Sequence, residues 1–214
     1  DIAWLREVAA SVSVLSADDI ATSGESSVSN LLRALPGINV SGNGGVGKPT
    51  ALRIRGEESY RTLVLIDGMN VSDPTAPQVS PRFEDLLSSG IERIEVLRGP
   101  QGMMYGADAG GIVNVTTRRA HEPFAADAAV EYGRYDTTNL FANVRGKNDS
   151  ADYSLSATHF ETDGFNARST DTSLRDDDGY INTTFHFNGG VQISDEFRLE
   201  TTVRNVRAEN EYDG

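Results

Sequence analysis

Cysteine is absent from all 214 residues. That excludes disulfides and thiolate metal sites and leaves the compartment open. Also missing is any apolar run near the roughly 18–20 residues that a transmembrane helix needs. The first residues lack a basic start followed by an apolar block, so no signal peptide is visible and the chain reads as mature or trimmed. Basic residues are scarce: 19 Lys and Arg stand against 32 Asp and Glu, a net charge of −13. The acidic excess is heavier after residue 123 than before it. This balance argues against a nucleic-acid partner, which needs basic surface to neutralise phosphate. It suits cation binding or a solvated acidic surface. No G-x-S-x-G, H-E-x-x-H or paired-carboxylate motif is present, and His121, His159 and His186 show no ligand spacing. No enzyme is expected.

What is present falls into two textures that meet at His121-Glu122-Pro123. Before that point helical and strand patterns alternate, as in an α+β domain spanning 1–122. Ser16-Ala17-Asp18-Asp19 forms an imperfect capping box for a short helix. Val28, Leu31, Leu32 and Leu35 recur at helical spacing and stop at Pro36-Gly37. Leu52 to Arg55 and Thr62 to Ile66 read as strands, with a turn signal at Asp67-Gly68. Phe83 to Leu87 is a short helix candidate.

After residue 123 the pattern has period two. Leu140, Ala142 and Val144 alternate with Asn139, Asn143 and Arg145; Ile181, Phe185 and Phe187 alternate with Asn182, Thr184 and His186. About five strands of roughly ten residues each are expected over 123–214, with one apolar and one polar face, the texture of an outer-membrane β-barrel. An ordinary antiparallel sandwich shares the alternation. The expected short turns lie at Asn148-Asp149-Ser150 and from Gly189-Gly190 to Asp195, and a long connection runs from Thr162 to Gly179. Barrels place short turns in the periplasm and long loops outside.

Several segments could carry chemistry. Gly42 to Thr50 nearly spells a phosphate-binding loop. Pro49 replaces the Ser or Thr that would hold Mg²⁺, and a strand follows where a helix is needed. A loop between strands is the better reading. Ser72 to Pro81, with three prolines, is a second loop or a mere connector. Arg55 and Arg98 each end a strand beside a glycine. Guanidinium groups there suit bidentate carboxylate pairing, and Glu95 is a local candidate partner. Arg175 to Gly179 clusters carboxylates in the long connection.

IERIEVLRGPQGMMYGADAGGIVNVTTRR (91–119) resembles the signature of the plug domain of TonB-dependent outer-membrane receptors. LLRALPGINV (31–40), LRIRG (52–56) and LVLIDGMNV (63–71) precede it in the family's order. The resemblance implies a plug domain at 1–122, followed by antiparallel strands of a transmembrane barrel that is incomplete here. Closed transporters of this kind have about 22 strands, so a longer receptor is expected. It also implies capture and energised import of a scarce nutrient: cobalamin, a ferric siderophore or haem. The implied partners are the TonB–ExbB–ExbD complex and outer-membrane lipid; a TonB-contacting segment is not evident in Asp1 to Val12. A soluble β-rich binding module stays open as an alternative.

By the same resemblance the two loops face the ligand, through Asn43, Gly44, Gly45, Val46 and Lys48 in the first. In the second the contacts are Asn70, Ser72, Asp73, Thr75 and Gln78. Arg55, Arg98 and Glu95 become plug–barrel ion pairs. In the cobalamin-receptor branch a D-x-D-G-aromatic segment and a Tyr-Asp pair supply calcium ligands. Asp176, Asp178, Tyr212 and Asp213 match that pattern, and Asn166 stands where a further Asp is expected.

Overall fold

The structure is a computed structural model that describes residues 11–75, 78–99, 110–167 and 177–211. The chain divides into two compact units: residues 1–42 with 49–117, and residues 43–48 with 118–214. The division falls at Thr117–Arg118, because Arg118 belongs to the second unit's contacts. It pairs with Asp127 at 3.0 Å and lies over the Phe141 ring at 5.2 Å.

In the first unit, strand β1 (Ser11–Ser16) leads into helix α1 (Ala17–Ser23). The capping box forms. Ser16 Oγ accepts from the Asp19 amide at 3.3 Å, and Asp19 Oδ2 accepts from the Ser16 amide at 2.9 Å. Helix α2 (Val28–Arg33) is capped by Ser27 and ends just before Pro36-Gly37. Next come strands β2 (Ile38–Gly42), β3 (Thr50–Ile54), β4 (Thr62–Ile66), β5 (Met69–Asn70), β6 (Ser72–Asp73) and β7 (Ser80–Pro81). β8 (Ile91–Arg98) and β9 (Gly111–Thr117) complete the unit. A five-stranded sheet has the order β1-β8-β9-β4-β5, with β4 and β9 parallel. β1 is an element the periodicity reading did not single out. The expected helix at Phe83 to Leu87 is one 3₁₀ turn, Phe83–Asp85.

Two of the four signature segments, 63–71 and 91–119, supply β4, β5, β8 and β9 of this sheet, while 31–40 and 52–56 supply the end of α2 and the separate β2–β3 pair. LVLIDGMNV is β4, a two-residue turn and β5. Asp67 (φ 49°) and Gly68 (φ 82°) both take the left-handed region that a two-residue hairpin turn requires. The Asp67 carboxylate then accepts from the Thr117 amide at 3.0 Å and its hydroxyl at 2.6 Å, tying the turn to the end of β9. Ile20, Val28, Leu31 and Leu32 from the helices pack with Leu52, Ile54, Val64, Phe83, Ile94, Val96 and Val113 as one core.

The second unit is an antiparallel meander: β10 (Ala125–Tyr132), β11 (Thr138–Lys147), β12 (Ala151–Thr162), β13 (Tyr180–Ser194) and β14 (Phe197–Asn210). About five strands were expected, and five form among the described residues. The turn expected from Gly189-Gly190 to Asp195 forms only at its far end: β13 runs through both glycines to Ser194, and the chain reverses at 195–196. The pair does not break the strand because both glycines are laddered on each side, Gly189 with Tyr153 and Thr201 and Gly190 with Asp152 and Glu200. A Cβ on Gly190 would collide with the Arg198 guanidinium from β14.

Burial in this sheet is inverted relative to a water-soluble fold. Asn182, Asn188, Asn143 and His186 are at most 3% exposed, whereas Leu155, Phe185, Leu199 and Val203 are at least 51% exposed. A soluble sandwich would bury its apolar face; a barrel wall turns that face to lipid and the polar one to the lumen. Among the described residues no helix is long and apolar enough to cross a membrane, which says nothing about strands.

Candidate functional site

The first loop is held by the sheet of the second unit. Lys48 is 3% exposed. Its Nζ donates to Gly179 O at 3.1 Å, to Asn210 Oδ1 at 2.6 Å and to Glu211 O. Asn210 in turn donates through Nδ2 to Gly47 O. Gly47 has φ 84°, and a Cβ there would fall within the Tyr180 ring. Burial holds the Lys48 ammonium below its ordinary pKa, and the charges of Asp178 and Glu211 partly restore it. Asn43 and Gly44 are exposed, and Gly45 and Val46 are half-buried. Of the five residues expected to meet a ligand here, the structure leaves Lys48 without access, because its donors are used inside the fold.

The second loop belongs to the first unit and builds its own turns. Asn70 Oδ1 accepts from the Ser72 amide at 2.9 Å. Asp73 Oδ1 accepts from the Thr75 amide at 2.8 Å and hydroxyl at 2.6 Å. These bonds hold the Asp73 carboxyl below the usual range. Asn70, Thr75 and Gln78 are exposed, and Ser72 and Asp73 half-buried. β6 and β7 pair, closing the base of the loop; Ala76 and Pro77 lie outside the described residues.

Arg55 and Arg98 come together. Arg98 ends β8, is 4% exposed and donates to Ser13 Oγ at 2.8 Å. Arg55 has φ 54°, and its amide donates to Gly37 O at 2.8 Å. Both side chains flank Gly37. Burial, then the neighbouring Arg55 charge, lowers the Arg98 pKa. Glu95 is not their partner. The strand period puts it on the face of β8 opposite Arg98, where it pairs with Arg93 and accepts from Asn114 Nδ2 at 3.0 Å.

Of the four residues matched to calcium ligands, Asp176, Tyr212 and Asp213 lie outside the described residues. Asp178 is buried, and its Oδ2 accepts from the Ala167 amide at 2.8 Å. The Asn166 backbone N–H donates to Asp177 Oδ1 at 3.2 Å. The positive charge beside Asp178 is the Lys48 ammonium, which opposes a divalent cation at that carboxylate. Among the described residues no group of three His, Cys, Asp or Glu could hold a metal.

Comparison with known proteins agrees with this architecture. The family model described as the TonB-dependent Receptor Plug Domain matches residues 4–113. The vitamin B12 transporter BtuB of Vibrio vulnificus (strain YJ016) is 31% identical over 211 residues, 96% of this chain and 33% of the relative. The vitamin B12 transporter BtuB of Photobacterium profundum is 31% identical over 98% of this chain and 34% of the relative. This chain thus spans about a third of the length of the curated relatives it matches. Among solved structures, a variant of the ferric enterobactin receptor PfeA of Pseudomonas aeruginosa aligns with TM-score 0.76 at 24% identity, over 94% of this chain and 34% of that one. The siderophore receptor PirA of Acinetobacter baumannii aligns with TM-score 0.73 at 24% identity, over 94% and 32%. With the plug signature built into the first sheet and the strand faces inverted as lipid requires, the chain belongs to the TonB-dependent outer-membrane receptors, as a plug domain followed by barrel strands.

Proposed function

We propose that this chain is the gated part of a receptor that binds a scarce nutrient at the cell surface and imports it to the periplasm with energy delivered through TonB. The observation that carries the proposal is that a plug domain is followed in the same chain by a sheet whose apolar face is exposed. A soluble binding module would bury that face. TonB, with ExbB and ExbD, would act on the plug's N-terminal side, and outer-membrane lipid would cover the apolar face. The exposed loop residues Asn43, Gly44, Asn70, Thr75 and Gln78 are the candidate ligand contacts.

Cobalamin is the first ligand to test, because the vitamin B12 transporters match nearly the whole chain. Charge points the same way. Glu161, Asp163, Asp177, Glu209 and Glu211 crowd the loop ends of β12, β13 and β14, and a polyanionic ferric catecholate meets repulsion at such a rim. Equilibrium binding to the purified full-length receptor tests this. Cyanocobalamin is expected to bind, and ferric enterobactin to compete poorly. Tight binding of ferric enterobactin with none of cyanocobalamin would reverse the ligand assignment.

A further inference from the structure

Segment 43–48 is a short glycine-rich stretch between β2 and β3, yet it packs as part of the five-stranded meander. Lys48 accounts for this. An ammonium has three N–H donors, and among the described residues Gly179, Asn210 and Glu211 accept from it. Two of those acceptors are backbone carbonyls at the adjoining ends of β13 and β14, which are themselves joined by the Glu211 amide donating to Gly179 O at 3.0 Å. Asn210 closes the ring by donating to Gly47 O. Tyr180 occupies the space a side chain at position 47 would need. Burying an ammonium is costly without such partners, so the arrangement holds only while all of them stay in place.

We propose that Lys48 is a positioning residue that fastens segment 43–48 to the outer ends of β13 and β14, so that Asn43 and Gly44 meet an incoming ligand on a fixed shelf. A shelf ordered in advance avoids the cost of ordering a loop when the ligand arrives. The ligand half of this statement rests on the proposed receptor function; the fastening does not.

The test uses the full-length receptor and backbone hydrogen exchange over residues 43–50, which needs no ligand. Lys48→Met keeps the aliphatic stem and deletes the ammonium. It is expected to speed exchange in the segment by roughly tenfold or more while β12 and β13 keep their rates. Lys48→Arg, which keeps charge and donors, is expected to restore slow exchange; a merely space-filling Lys48 would be replaced better by Met than by Arg. Asn210→Ala, which removes one acceptor and the bond to Gly47, is expected to loosen the same amides and serves if Lys48→Met does not fold. Cyanocobalamin affinity is expected to fall about tenfold in Lys48→Met and to recover in Lys48→Arg. Unchanged exchange in both Lys48→Met and Asn210→Ala would overturn the fastening. Failure of the wild-type receptor to bind cyanocobalamin would count against the cobalamin assignment and leave the exchange result standing.

Discussion

Gly47 has no room for a side chain. Its φ of 84° strains any L-residue, and Tyr180 fills the site where a Cβ would point. The strain alone costs on the order of 1 kcal/mol or more, and the ring must move as well. Gly47→Ala is therefore expected to displace the first loop and weaken cyanocobalamin binding at least about tenfold, while the receptor still inserts. Normal affinity with an intact barrel would show that the loop's seat on Tyr180 is irrelevant. Asp19 permits a pH test. Bonds from Ser16 hold its carboxyl below the ordinary value of 3.8. A lowered folded pKa stabilises the fold above the unfolded value, and the stabilisation is lost as pH falls through the folded one. In a plug fragment of residues 1–122, Asp19→Ala should lower urea resistance at neutral pH, and the gap from wild type should close in acid. A gap that persists at low pH would assign the effect to something other than the carboxylate. Ser16 and Asp19 were legible in the sequence because a capping box is local. Lys48 was not: its partners lie more than 130 residues away, and nothing in its neighbours distinguishes a fastener from a ligand contact.

At the scale of elements, the strand faces decide the environment. Val203 lies on the apolar face of β14, paired with Phe187 of β13, and Thr202 lies on the other face opposite Asn188. A lysine on the lipid face near the bilayer midplane costs roughly 2–4 kcal/mol. Val203→Lys is expected to cut folding yield into lipid vesicles, with Thr202→Lys near wild type. The reverse order would mean that the polar face, not the apolar one, meets lipid. Period two made these strands readable over most of their length, since alternation survives whatever packs on either face. It failed at Gly189-Gly190, where glycine signals a turn by default but here accommodates a neighbouring arginine. It also passed over β1: Ser11–Ser16 is held by pairing with β8, a partner about eighty residues away. Glu95 was misassigned for the same kind of reason, since closeness in sequence to Arg98 does not put two side chains on one face of a strand.

For the whole molecule, the order of the signature segments pointed to the family, because each encodes a local element of the first unit: α2 and β2, β3, the β4–β5 hairpin, and β8 with β9. Arg118, beside the texture change at 121–123, makes its contacts with Asp127 and Phe141 of the second unit. The place of segment 43–48 was not legible, since its chain neighbours belong to one unit and its contacts to the other. A fragment of residues 1–122 is expected to be soluble and monomeric, because its core is closed by its own helices and sheet. Recovery only from detergent-extracted membranes would contradict that boundary. The central claim, energised import, is tested most directly by uptake of radiolabelled cyanocobalamin into cells that lack their own cobalamin receptor and carry the full-length protein. The expected result is accumulation in the periplasm that disappears when TonB is deleted, with binding at the cell surface retained. Uptake that is indifferent to TonB, or a receptor that inserts yet imports neither cyanocobalamin nor a ferric siderophore, would contradict it.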